Sequence, residues 1–166
     1  ESNGGSVPKL KALQAFNSSV YRWMRPCYGV TDGKPHLRIE NRVLPAGPTI
    51  EDQVANAALW IGLMVEGPRA WPALTDRMEF LEARSNFLRA SRDGLSAHMT
   101  WFDDEMPVRE LFTDVFLPVA RRGLERVGID AADIDRTMDV INGRIATRGT
   151  GSHWLLGSIA KMRGRG

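Results

Sequence analysis

Three charged side chains at strict two-residue spacing are the first candidates for chemistry: Arg38, Glu40 and Arg42. Strand side chains alternate between two faces, so this spacing puts all three on one face and Leu37 and Ile39 on the other. Guanidinium groups bind phosphate or carboxylate oxygens as planar forks, while a carboxylate ligates Mg²⁺ or orients an arginine. The pattern indicates a face that binds oxyanions; the alternative is an ordinary solvated strand face over a core.

The charged strand is predicted to be the second half of a β-hairpin. Asp32 and Gly33 tolerate the positive φ angles of a tight type I′ turn, and aromatic and β-branched residues over 20–30 favour a preceding strand. Counting outward from a two-residue turn predicts the opposite pairs Tyr28 with Leu37, Cys27 with Arg38, Arg25 with Glu40, and Trp23 with Arg42. Arg25 and Cys27 then share the charged face.

The chain after Thr49 is predicted to be helical. Thr49 and Asp52 have the spacing of a capping box, and the helix that they begin is expected to stop at Gly67 and Pro68. Further helices are predicted over 75–98, over 108–127 with a kink at Pro118, over 131–147 and over 152–162, with a loop around 101–104. Residues 7–16 have weak helical spacing and are expected to form a short helix or an entering loop. The expected fold is α+β and mostly helical, with an N-terminal antiparallel β-hairpin packed on about five helices.

Length and composition limit the classes of protein that fit. The chain has 166 residues, of which 43% are hydrophobic, so we expect one domain over 9–166 after a flexible leader at 1–8. A net charge of +2 does not indicate nucleic acid, and no apolar run approaches the ~20 residues that cross a bilayer. Cys27 is the single cysteine, which rules out an intrachain disulfide and favours a reducing, cytoplasmic location.

Two stretches of the hairpin resemble the glutamate–cysteine ligases and related carboxylate–amine ligases. They are YRWMRPCYGV over 21–30 and HLRIENRVLPAGPT over 36–49, which contains a Glu-x-Arg strand ending in a Gly-Pro turn. The similarity continues through the helical part in RSNF over 84–87, RDGL over 92–95 and WLL over 154–156. The chain is therefore identified as similar to the C-terminal part of this family's catalytic region.

The resemblance implies an activity and a set of site residues. ATP would convert a glutamate carboxylate into an acyl phosphate, which an amine such as that of cysteine would attack, as in glutathione biosynthesis. The implied fold is part of the glutamine synthetase and guanidino kinase catalytic fold, and the implied cofactors are ATP and Mg²⁺. Glu40 and Arg42 are the implied catalytic residues, with Glu40 also a metal ligand or an orienting group. Arg22, Arg25 and Arg38 are supporting candidates for binding substrate or phosphate because of their strand face, not because of the family motif.

The resemblance also implies what this chain lacks. The family's metal and nucleotide contacts lie mostly on earlier strands, and the sequence begins without Met, so we expect a C-terminal fragment completed by the upstream part of the same parent chain. Such a fragment is expected to be inactive alone, and a homo-oligomer stays open. Two other functions also stay open: a non-catalytic helical domain that binds an anionic ligand or partner chain through its basic hairpin, and a nucleic-acid binder.

Overall fold

The computed structural model describes residues 7–20, 23–44 and 47–164. The chain divides into two compact units, Glu1–Ala46 and Gly47–Gly166, each of which is described by itself. The described residues are 65% helical and include an N-terminal antiparallel β-hairpin, which confirms the predicted mostly helical α+β class. Most of the predicted leader, residues 1–6, lies outside the described residues, and the single-domain organisation stays a prediction.

The first unit contains helix α1 (Lys11–Ser19) and the hairpin strands β1 (Met24–Thr31) and β2 (Lys34–Asn41). The turn between the strands has φ angles of 50° at Asp32 and 72° at Gly33, the conformation of the predicted type I′ turn. The register pairs Arg25 with Glu40, Cys27 with Arg38, and Tyr28 with Leu37, as predicted. The stretch 7–16 with weak helical spacing overlaps α1, which lies a few residues further along the chain. The first strand begins at Met24 rather than at residue 20.

The second unit is helical with a second, short hairpin. Its elements are α2 (Ile50–Ala70), α3 (Leu74–Arg77), α4 (Phe80–Asp93), a 3₁₀ turn (Gly94–Ser96), β3 (His98–Trp101), β4 (Asp104–Pro107), α5 (Val108–Glu110), a π-helical segment (Leu111–Phe116), α6 (Leu117–Arg126), α7 (Ala131–Thr147) and α8 (Gly151–Arg163). The capping box of α2 is confirmed, because Asp52 N–H donates to Thr49 Oγ1 and Thr49 N–H donates to Asp52 Oδ2. The helix over 131–147 has its predicted bounds.

Two predicted helix boundaries are wrong. Helix α2 does not stop at Gly67 and Pro68 but continues to Ala70, because a proline in the last turn removes only one intrahelical hydrogen bond and Trp71 N–H still donates to the Gly67 carbonyl. The helix predicted over 75–98 is interrupted between α3 and α4, where Glu79 N–H donates to the Glu82 carboxylate and starts a new helix. Helix α4 ends at Asp93, so the predicted helix does not reach residue 98, where β3 begins.

The loop predicted around 101–104 is the turn of the β3–β4 hairpin, whose two short strands the sequence did not predict. Its turn contains Phe102 at a φ of 56°, an uncommon conformation for a bulky residue and therefore a weak turn signal in the sequence. Asn86 of α4 supports the hairpin: its amide donates to the Thr100 carbonyl at 2.6 Å and its carbonyl accepts from Thr100 N–H at 2.9 Å. The buried Asn86 side chain thus forms the two backbone hydrogen bonds of Thr100 that a neighbouring strand would form.

A π-helical segment, Leu111–Phe116, comes shortly before Pro118, and the kink predicted at this proline stays a prediction. Aromatic rings gather on this segment, with Phe116 at 5.0 Å from Trp101 and 6.0 Å from Trp71 between ring centroids. These edge-to-face contacts join the π segment to the β3–β4 hairpin and to the end of α2.

Helices α2, α6 and α7 enclose the core of the second unit. The buried core cluster consists of Ala55, Leu59, Ala120, Leu124, Ile134, Met138, Ile141 and Ile145. Buried polar groups join the same helices: Glu66 Oε2 accepts from Arg126 Nε at 2.8 Å, and Arg144 Nη1 donates to Asn56 Oδ1 at 2.7 Å. The hydrogen bond from Arg126 lowers the pKa of Glu66 against the opposing effect of burial, so this carboxylate stays ionised as a structural ion pair.

Helices α2 and α6 meet backbone to backbone at two glycines. A Cβ atom at Gly62 would overlap the backbone of Ala120, and one at Gly123 would overlap the backbone of Gly62. Both glycines are buried. Neither position can hold a side chain unless the helices move apart.

We expect Gly62→Ala to destabilise the protein by about 1–3 kcal/mol, because the added methyl group forces two packed backbones apart. The matched control is Gly143→Ala on α7, where a Cβ meets nothing within 4 Å. That substitution should stabilise by roughly 0.5–1 kcal/mol through helix propensity alone. Urea unfolding of both variants measures the difference, and a stabilising effect of Gly62→Ala would contradict the close contact.

Candidate functional site

Glu40 is the centre of the charged hairpin face in the first unit. Arg25 Nε donates to its Oε2 at 2.5 Å, and Arg42 Nε donates to its Oε1 at 2.7 Å. The Cys27 thiol lies 3.3 Å from Oε2 and donates to the same oxygen. Cross-strand pairing brings Arg25 opposite Glu40, while Arg42 follows two residues later on the same face. The carboxylate therefore organises two guanidinium groups and a thiol.

These contacts fix the ionisation of Glu40. The hydrogen bonds from Arg42 and then Arg25 lower the pKa of the Glu40 carboxyl to about 2, against a smaller opposing effect of burial. The side chain is 38% exposed, so solvent screens the ion pairs. A carboxylate that stays ionised at neutral pH accepts hydrogen bonds but has no proton to donate. The arrangement suits electrostatic positioning rather than general acid catalysis.

Helix α1 supports the same face through Asn17. The Asn17 carbonyl accepts from Arg25 Nη1 at 3.1 Å, and its side-chain amide donates to the Pro26 carbonyl at 2.6 Å. Asn17 Oδ1 is buried and has no hydrogen-bond partner in the described part of the unit. A cavity of about 320 Å³ lies between α1 and the hairpin, with Arg25, Cys27 and Arg38 among its lining residues. Sequence reasoning missed this role of Asn17, because its partners belong to another element and no spacing links them.

The structure brings together most of the site residues that the sequence predicts. Arg25, Glu40 and Arg42 are in direct contact, and Arg38 is exposed opposite Cys27 on the same face. Arg38 forms no hydrogen bond or ion pair with the other residues that the structure describes. Arg22, the remaining candidate, lies outside the described residues. The roles of these residues in binding and catalysis stay predictions.

The surroundings of Glu40 bear on its predicted role as a metal ligand. Two guanidinium groups contact the carboxylate, and their positive charges oppose a further cation. Over residues 7–20, 23–44 and 47–164, no group of three or more His, Cys, Asp or Glu side chains is placed to hold a metal ion. These residues alone do not fit Mg²⁺, and the geometry favours the orienting role of Glu40.

Comparisons of the chain with protein-family models, with curated proteins and with solved structures give no match. The resemblance to carboxylate–amine ligases therefore depends on the residues quoted above. Within the described residues, no helix combines the length and the apolar character that crossing a membrane requires.

We expect the Glu40 carboxyl to titrate with a midpoint near 2, well below the ordinary value of 4.5. A lowered folded-state pKa stabilises the folded hairpin above the unfolded value, and this contribution is lost as the pH falls from 4.5 towards 2. Carbon-13 NMR of the side-chain carboxyl measures the midpoint. Arg42→Ala should raise it and Glu40→Gln should remove the signal, whereas a wild-type midpoint near 4.5 would contradict the paired geometry.

Proposed function

We propose that this chain is part of an ATP-dependent carboxylate–amine ligase, similar to the glutamate–cysteine ligases, and that it acts in the cytoplasm. The observation that supports the proposal is the pair of arginines held on one strand face by a shared carboxylate: Arg25 and Arg42 on Glu40. Arg38 adds a third guanidinium to the same face. Three positive charges against one negative charge leave a face suited to phosphate or carboxylate oxygens.

In the proposed reaction, ATP activates a glutamate carboxylate as an acyl phosphate for attack by an amine. The hairpin contributes charge and orientation, which are the main requirements of phosphoryl transfer. Arg38 is the exposed guanidinium that would bind an oxyanion directly. Arg42 and Arg25 would stabilise the developing negative charge beside it, and Glu40 would be their positioning residue. The lone cysteine, Cys27, suits a reducing compartment.

In the proposed ligase, Mg²⁺ would be bound by another part of the protein. Glu40 and its two arginines do not form a magnesium site, so we derive no step through the metal at this face. We propose that the upstream part of the parent chain supplies the metal-binding carboxylates and the nucleotide contacts. The amine acceptor would be bound there as well.

A second candidate function is a non-catalytic domain that binds an anionic ligand or a partner chain through the hairpin. The observation that favours it is the position of α1, whose Asn17 carbonyl accepts from Arg25 at the edge of the charged face. Helix α1 and the hairpin line the same cavity. This cavity of about 320 Å³ fits a small anion.

The test is isothermal titration of the full-length protein with glutamate and with Mg-ATP. We expect wild-type protein to bind both, and Arg42→Ala to weaken binding about tenfold, the effect of losing a hydrogen bond to a charged group. Arg42→Lys should weaken binding less, since it keeps the charge but loses the fork. Arg136→Ala is the control, because Arg136 is exposed on α7 and pairs with Asp133.

The outcomes separate the two functions. Binding of both ligands with release of ADP and phosphate supports the ligase. Binding of phosphate-bearing ligands without turnover supports the non-catalytic domain. Absence of binding in wild-type protein, or equal binding by wild type and Arg42→Ala, would contradict the ligase and the binding of a small anion by the hairpin.

A further inference from the structure

The second unit contains a cavity of about 520 Å³ that the proposed ligase chemistry does not use. Its walls come from the 3₁₀ turn, the start of β3, the end of β4, the first turn of α5, the π segment and the end of α7. Leu95, Ala97, Pro107 and Ile145 supply an apolar lining. A cavity of this size holds a small organic molecule.

Positive charge predominates among the polar residues of this cavity. Arg109 and Arg148 line it together with the imidazole of His98, and Glu110 is the one carboxylate among its lining residues. Neither arginine forms an ion pair within the part of the chain that the structure describes, whereas seven of the thirteen described arginines of this unit do. Two guanidinium groups and one carboxylate leave an excess positive charge in a largely apolar setting, where charges interact strongly.

Arg109 has a donor that the protein itself does not satisfy. Its Nη2 donates to the Ala146 carbonyl at 3.3 Å, which fixes the guanidinium beside the end of α7. Its Nε is buried and lacks a hydrogen-bond partner among the described residues. A buried polar group without a partner is costly, and native proteins pair nearly all of them. A bound oxyanion would provide the missing acceptor once the guanidinium turns towards the cavity.

We propose that this cavity binds a small organic oxyanion, a phosphate monoester or a carboxylate, through Arg109 and Arg148. On binding, the guanidinium of Arg109 turns its Nε–H towards one ligand oxygen, and Arg148 supplies a second guanidinium from the cavity wall. The apolar lining then receives the uncharged part of the ligand. This site lies in the helical unit and does not depend on the ligase proposal for the hairpin.

The local conformation of Arg148 makes a conservative test available. Arg148 follows the last residue of α7 and has a φ of 55°, the left-handed region that asparagine tolerates better than most residues. Arg148→Asn therefore removes the guanidinium with little strain. Arg109→Lys keeps the positive charge but lacks the Nε–H donor, so it tests the hydrogen bond separately from the charge.

The experiment follows arginine Nε–H resonances by ¹H–¹⁵N NMR of the 166-residue chain in a buffer free of phosphate and carboxylate. Inorganic phosphate and succinate are titrated separately as probes. We expect a saturable shift of the Arg109 Nε–H with at least one probe. Shifts of amide resonances lining the cavity should give a dissociation constant that Arg109→Lys and Arg148→Asn each raise about tenfold.

Arg136→Ala is the matched control, because it removes an exposed guanidinium at the other end of α7. It should leave the dissociation constant unchanged. A response to phosphate alone identifies a phosphate ligand, and a response to succinate alone identifies a carboxylate. No saturable shift with either probe, or unchanged binding in Arg148→Asn, would overturn the proposal even if Arg109→Lys failed to fold.

Discussion

The helical unit depends on the contact between the α2 and α6 backbones at Gly62 and Gly123. Because no side chain separates the helices there, their distance is set by backbone atoms rather than by adaptable side chains. One turn further along, the same close approach places Arg126 Nε 2.8 Å from Glu66 Oε2, so the buried carboxylate is paired with a guanidinium. Without the glycines, the larger helix separation would leave this charge buried and poorly paired, which is strongly destabilising.

Two sets of arginines in this protein have different physical roles. Arg126 and Arg144 join helices through hydrogen bonds to fixed acceptors, Arg126 to Glu66 and Arg144 to Asn56 and the Asp52 carbonyl. Arg109, Arg148 and Arg38 pair with no carboxylate among the described residues. A guanidinium that already holds an internal carboxylate has fewer donors for a ligand, whereas an uncommitted one retains them. The contrast favours Arg109, Arg148 and Arg38 as groups that bind an anion directly, while Arg25 and Arg42, which hold Glu40, add positive charge beside Arg38.

Local signals allowed some elements to be predicted. The Asp32-Gly33 turn fixed the hairpin register, because a two-residue loop leaves one pairing and the alternation of charges agrees with it. The β3–β4 hairpin could not be found in this way, since its turn uses Phe102 and its support is Asn86 on another element. The cavity at Arg109 could not be predicted from the sequence either, because the carbonyl that accepts from Arg109 lies 37 residues away in the chain. Contacts of this kind follow from packing, which local spacing does not encode.

The state of Glu40 limits what the hairpin can contribute to a reaction. Its carboxyl, with a pKa of about 2, holds two guanidinium groups and carries no proton to transfer near neutral pH. The same guanidinium groups oppose a metal cation at this carboxylate. What the face retains is fixed positive charge in a defined geometry, which stabilises an anionic group without exchanging protons with it. Any proton transfer or metal chemistry in the proposed ligase must therefore come from groups other than this hairpin carboxylate.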